Sequence, residues 1–168
     1  MSVAKKLYTI GHSNHPIERF VELLSEHSIA TLVDVRSRPY SRWAPHFQKN
    51  ALLRSLRDAG VEYVFLGDKL GGRPEGAEYY DANGHVDYGR RAQAYDFQAG
   101  IDRLVTLGRT SRTSFMCAEE NPGRCHRRLL VTPALEKRGL DVVHIRGSGE
   151  LQPEEAMRQP SPQLQLFE

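Results

Sequence analysis

Residues 30–36 read Ala30-Thr31-Leu32-Val33-Asp34-Val35-Arg36. A strand with one wet face alternates apolar and polar residues, whereas this run is nearly continuous, as in strands of a parallel sheet buried on both faces. It ends abruptly in a carboxylate and a guanidinium. Working upstream, Ile17, Phe20, Val21 and Leu24 recur at helical spacing behind Pro16, with Ser13 and Asn14 as candidate caps, and residues 6–10 read as a first strand. Downstream, residues 48–59 predict a helix with Leu52, Leu53 and Leu56 inward, stopped by Gly60, and residues 61–66 predict a third strand. The segment 67–88 carries Gly71, Gly72, Pro74, Gly76 and Gly84, too long and glycine-rich for a plain connector, and reads as a functional loop or lid. A helix over 89–107, a strand over 114–118, a helix over 124–138 that Pro133 should kink or break, and a strand over 140–145 complete the alternation. The expectation is a single-domain α/β fold: a mostly parallel five-stranded sheet with helices on both faces, Rossmann-like, over residues 1–151. Residues 152–168, with Pro153, Pro160 and Pro162 in polar filler, read as a flexible tail.

The totals agree with this outline. At 168 residues the chain can bury a real core, and 39% hydrophobic with 26% charged residues is ordinary for a globular protein. The longest apolar runs are strand-sized and no secretory leader is read at the N-terminus, so a cytoplasmic protein is expected. Two cysteines make no disulfide framework. The net charge of +2 excludes a histone-like polycation, but 18 arginines stand against 5 lysines. Arginine's planar fork suits carboxylate and phosphate, which leans toward an anionic ligand or nucleic acid.

Ligands of open parallel sheets bind beyond the carboxyl ends of the strands. Here those ends read Gly11-His12-Ser13-Asn14, Asp34-Val35-Arg36-Ser37, Gly67 to Gly72, Cys117-Ala118-Glu119-Glu120 and His144-Ile145-Arg146-Gly147. All five carry groups able to bind or react, so they are expected to converge on one site. The fourth is the most chemical. Pro122-Gly123 makes a turn, and a helix starting near Cys125 would offer an anion its N–H groups and lower the thiol pKa. Cys125 and Glu119 are candidate nucleophile or base, His126 a candidate proton carrier, and Arg127 a phosphate ligand. Cys117 reads more simply as a buried small hydrophobe. Cys117, Cys125, His126 and His12 lack zinc-finger spacing, and no metal or cofactor is expected. Asp34 could orient Arg36 or His12 from behind, and both it and Arg36 count among the candidate substrate-binding residues, with His12, Ser13 and Arg42. The run from Arg36 to Trp43 interleaves arginines with Tyr40 and Trp43, which suits phosphate contacts and base stacking, or simply a solvated loop.

Together, Thr9-Ile10-Gly11-His12-Ser13, Leu32 to Arg36 with Pro39, Ser41 and Arg42, Leu66-Gly67 with Leu70-Gly71-Gly72, Cys117-Ala118-Glu119, Cys125-His126-Arg127 and His144-Ile145 resemble the domain of unknown function 488 family. The resemblance covers residues 7–151. It implies an α/β domain with the strand-end residues as the site, and assigns them no roles.

The last residues, Gln163-Leu164-Gln165-Leu166-Phe167, resemble the pentapeptide with which bacterial replication and repair proteins bind the DNA sliding clamp. Leu166 and Phe167 would fill an apolar pocket, Gln163 would make polar contacts, and Leu164 completes the pattern. These readings converge on a protein that processes nucleic acid or nucleotide, an enzyme of hydrolase or glycosidase type linked to DNA repair or base processing and recruited by the clamp. Two alternatives stay open: a non-catalytic adaptor binding DNA or nucleotide, and a thiol-dependent or sulfur-transfer enzyme using Cys125. No membrane partner is expected.

Overall fold

The computed structural model describes residues 6–158; the pentapeptide at 163–167 lies outside them. Five strands, β1 (Lys6–Gly11), β2 (Thr31–Asp34), β3 (Glu62–Phe65), β4 (Thr113–Cys117) and β5 (Asp141–Ile145), run parallel in the order β3-β2-β4-β1-β5. A sixth, β6 (Leu151–Pro153), pairs antiparallel with the β5 edge. The expected sheet is therefore present with one strand more than foreseen. The tail expected from residue 152 opens with structure, because β6 leads into α7 (Glu154–Arg158), where Glu154 is buried. Proline is tolerated at this edge because a position there does not have to donate to a further strand.

Each strand sends alternate side chains to opposite faces. From β1, Leu7 enters one core with Val33, Phe115 and Val142, while Tyr8 and Ile10 enter the other with Leu32, Met116 and Val143. The second core is closed by α1 (Ile17–Glu26) through Phe20, Leu23 and Leu24, and by α2 (Lys49–Asp58) through Leu52 and Leu56. The first is closed by α5 (Tyr95–Thr110) through Phe97, Ile101 and Leu104, and by α6 (Thr132–Lys137) with the turn before it. Burying a leucine or phenylalanine fully is worth about 1.5–3 kcal/mol, so these two faces supply most of the driving force.

Local departures from the expected outline have identifiable causes. Helix α1 begins after Pro16 with no side-chain cap, and Ser13 instead takes a positive φ of 45° in a turn. The segment after β3 folds into α3 (Gly67–Leu70), a short 3-10 turn at Ala77–Tyr79 and a bridge between Tyr80 and Val86. The helix expected over 89–107 is split into α4 (Tyr88–Ala92) and α5. Before Pro133 the helix widens into a π-turn over Arg127–Val131, in which the Thr132 N–H reaches back to the Arg127 carbonyl and its hydroxyl donates to the same oxygen at 2.7 Å. Proline lacks the N–H that would continue the ladder, and the widened turn absorbs that defect without breaking the helix.

Strand order decides where a site can form. The chain moves outward from β1 to β2 and β3, then returns to lay β4 between β2 and β1 before crossing to β5. The connections leave opposite faces of the sheet on either side of β4, and the carboxyl ends of β2, β4 and β1 border the resulting crevice.

Candidate active site

The crevice is a cavity of about 530 Å³. The end of β1 enters it because Gly11 lacks a side chain: a Cβ there would lie 1.7 Å from the Glu119 carbonyl oxygen. That approach lets pairing between the two strands continue into their loops, with the His12 N–H donating to the Cys117 carbonyl at 3.0 Å and the Ser13 N–H to that of Ala118 at 2.8 Å. Gly11→Ala is expected to displace the 118–120 loop and cost about 2 kcal/mol or more, because backbone rather than a pliant side chain must give way. A melting curve within 1 °C of the parent would show that the approach is not needed.

Asp34 ends β2 with no solvent exposure. It accepts from Arg36 at Nε (2.9 Å), at Nη2 (2.8 Å) and at the backbone N–H (3.1 Å), and from the Tyr63 hydroxyl at 2.6 Å. Burial and the Asp34 charge push the Tyr63 phenol far above its ordinary range. Asp34 is thus occupied behind the cavity wall, orienting Arg36, and does not line the cavity. Arg36 presents its remaining amino group to His12 Nε2 at 3.3 Å. His12 stacks on Phe47 at 4.4 Å, and its Nδ1 lies 2.8 Å from the Ser13 carbonyl. A carbonyl and a guanidinium fix the tautomer: Nδ1 donates and Nε2 accepts. Burial lowers the His12 pKa to about 4, so the ring is neutral at pH 7.

Beyond β4, the chain makes a 3-10 turn over Pro122–Arg124 and enters the next helix at His126, with Cys125 extended just before it. Cys125 is 4% exposed and faces the cavity. His126 Nδ1 lies 3.8 Å from its sulfur, while Nε2 is fixed by donating to the Val35 carbonyl at 3.0 Å. The two neighbouring thiols are shifted in opposite directions. Burial and the neighbouring Cys125 hold Cys117 well above the usual thiol range, and hydrogen bonding from Cys117, aided by His126 and Arg127, holds Cys125 well below it. Tyr88 is near enough that the Cys125 charge, after burial, raises its phenol pKa. Gly72 lets α3's following loop pass against His126, since a Cβ would lie 2.8 Å from the ring.

Arg127, expected at a phosphate, is not available to one. It is fully buried and donates to the Thr9 hydroxyl (3.1 Å), Cys117 Sγ (2.8 Å) and the carbonyls of Glu119 and Glu120 (2.9 Å for the latter). It clamps the β4 loop to β1 from below. Arg42 is also outside the cavity, exposed and stacked over Trp43 at 5.2 Å, and Ser13 does not line it either, its N–H being taken up by the Ala118 carbonyl. The β5 end does not join the site. His144 is buried between Thr9 (2.7 Å) and Glu154 (2.7 Å), and Arg146 holds Glu120, whose carboxyl the ion pair and the Gly147 N–H lower to about 2. Four strand ends converge rather than five.

The cavity contains groups that sequence reasoning did not assign to it. Arg38, Arg73 and Arg124 line it with exposed side chains, none ion-paired among the described residues, and Glu119 is the carboxylate set against them. Ser37, Tyr40, Ser41 and Tyr88 also line it. The signal for Arg38 and Tyr40 was present in the arginine–aromatic run. Arg73 follows the paired glycines, and the Arg73 N–H donates to Ser37 Oγ at 2.8 Å.

These features define an α/β domain with a buried cysteine at the floor of an arginine-lined crevice. The model of the family described as domain of unknown function DUF488 matches residues 16–133, and the chain belongs to that family. The match contains the β2, α3 and β4 motifs, whereas Thr9–Ser13 and His144–Ile145 lie beyond it. No curated protein and no solved structure matches the chain. Among the described residues no helix is long and apolar enough to cross a membrane.

Proposed function

We propose that this protein is a thiolate-dependent enzyme that acts on nucleic acid or a nucleotide-derived substrate. The observation that carries the reading is the placement of Cys125: a buried thiol facing the cavity, 3.8 Å from His126 Nδ1 and held low in pKa by its neighbours, where three arginines outside any ion pair among the described residues line an opening of about 530 Å³. A buried anion is costly to maintain unless its charge is used, and thiolates so held are nucleophiles. Free guanidinium groups select an anionic, phosphate-bearing ligand. A non-catalytic adaptor needs the arginines and has no use for the thiolate.

The chemistry follows from the positions. The Cys125 thiolate adds to an electrophilic carbon of the substrate. An S–C bond forms, the bond to the leaving group breaks, and the leaving group departs with that electron pair and the proton that His126 Nδ1 took from the Cys125 thiol. Water, deprotonated by Glu119, then attacks the same carbon, and the S–C pair returns to sulfur. The proton on Glu119 goes back to His126 through solvent, so the net reaction is hydrolysis. The DNA context rests on the C-terminal peptide: Gln163, Leu164, Leu166 and Phe167 fit a sliding-clamp ligand, which would place the enzyme in repair or base processing.

Incubation with single- and double-stranded oligonucleotides carrying modified bases, followed by mass spectrometry of protein and product, tests the reading. Product should form with the parent chain, and Cys125→Ala should lower its rate by about 10³-fold or more. Undiminished turnover by that variant would remove Cys125 from the mechanism. Recovery of the clamp unchanged after deletion of residues 163–167 would refute the recruitment.

A further inference from the structure

The loop between β2 and α2 forms an aromatic and basic ledge that runs from the cavity wall at Arg38 and Tyr40 out to Trp43. Trp43, the sole tryptophan of the chain, is 81% exposed, and Tyr40 is 67% exposed. A single exposed ring is ordinary, but here two stand three residues apart, interleaved with arginines. The loop is tied at three points: the Ala44 N–H donates to Ser41 Oγ (3.2 Å), Gln48 Nε2 to the Ser41 carbonyl (3.3 Å), and the Lys49 N–H to the Pro39 carbonyl (3.0 Å). The rings are therefore presented by a fixed backbone. Guanidinium groups alternate with them. Arg38 and Tyr40 line the cavity, and Arg42 lies over the Trp43 ring. Arg73 and Arg124 continue the positive charge across the opening.

From this arrangement we infer that the ledge Arg38–Trp43 binds single-stranded nucleic acid, stacking bases on Tyr40 and Trp43 and feeding one unstacked nucleotide toward Cys125. The inference rests on the reading of the cavity given above and specifies its substrate class. In a duplex each base is covered by its neighbours, so an exposed indole face has nothing to stack on. An unpaired strand offers free faces at intervals, with a phosphate between them for each arginine. The floor of the cavity points the same way. Cys125 is 4% exposed, and an atom of a base can reach it only after that base has left the helical stack.

Because there is one tryptophan, its fluorescence reports on Trp43 alone. The full-length Cys125→Ala chain, titrated with a twelve-nucleotide oligothymidylate, should show quenching of Trp43 and bind at least tenfold more tightly than it binds the duplex with oligoadenylate. Read by the anisotropy of a fluorescein-labelled oligothymidylate, since these variants carry no tryptophan, Trp43→Ala should weaken single-strand binding about tenfold and Trp43→Phe should restore much of it, and both should leave the rate of Cys125 alkylation by iodoacetamide in the otherwise parental chain unchanged. Arg38→Ala should reduce the slope of log affinity against log salt by about one. Equal or tighter duplex binding, or the same affinity in Trp43→Ala, overturns the inference. A null result for Trp43→Ala with turnover still dependent on Cys125 removes the ledge and leaves the thiolate enzyme. The Trp43 effects with turnover indifferent to Cys125 remove the enzyme reading and leave the ledge.

Discussion

Arg127→Met is expected to destabilise the fold by about 3–5 kcal/mol, because it removes the donor to several enclosed acceptors at once. Its guanidinium is wholly enclosed and has no carboxylate opposite it; its acceptors are the Thr9 hydroxyl, Cys117 Sγ and two successive carbonyls of the β4 loop. Methionine would keep much of the stem volume and leave those carbonyls buried without a donor, each at about 1–3 kcal/mol. For a chain of this size the loss corresponds to a fall of about 10 °C in the melting midpoint. Arg127→Lys should fall between, because an ammonium keeps the charge and cannot span acceptors arranged around a planar fork. The second consequence is electrostatic. Arg127 helps to hold Cys125 ionised, so the methionine variant should also need a higher pH for thiol alkylation. A midpoint within 2 °C of the parent would show that the clamp is not what fixes the loop.

The contrast between Arg124, Arg127 and Arg128 shows what sequence could and could not give. The apolar run Leu32 to Val35 and the alternation of strands with helices carry the fold class directly, because burial on both faces leaves its mark in each strand. The rule that sites lie at strand ends then brings His12, Arg36, Glu119, Cys125 and His126 to one cavity, where they are found. Which arginine points where depends on about 100° of helix rotation per residue and on the wide π-turn, and neither is written in composition. Arg124 precedes the helix and opens into the cavity, Arg127 turns into the core, and Arg128 pairs with Glu154 at 3.0 Å. Glu154 explains the other discrepancy. Read alone, the segment from Gln152 is polar and proline-bearing; it is ordered through Arg158 because His144 and Arg128, distant in sequence, hold that carboxylate. Long-range polar pairing of this kind has no periodicity to detect.

Cys117→Ala should move the pH midpoint for iodoacetamide alkylation of Cys125 upward by about one pH unit or more. The Cys117 thiol is the largest cause holding the Cys125 pKa down, and a hydrogen bond to a charged group is worth about 1.5–3 kcal/mol against 1.36 kcal/mol per pKa unit. The direction follows from which form the bond favours. With the Cys117 thiol beside it favouring the charged form, Cys125 loses its proton well below the ordinary thiol range, and its reactivity should already be at a plateau at pH 7. That reactivity is lost as pH falls through the depressed pKa, and in Cys117→Ala it should be lost at a higher pH. His126→Ala should act in the same direction, since His126 favours the charged sulfur both by hydrogen bonding and by its own charge. Cys117, whose own pKa is raised, should alkylate slowly in the parent at neutral pH. If the parent rate still climbs through pH 9, Cys125 is an ordinary thiol; if the midpoint stays put in Cys117→Ala, the charge is held by His126 and Arg127 instead. The first outcome would take away the nucleophile, while the second would keep it and make the adjacent cysteine dispensable to its ionisation.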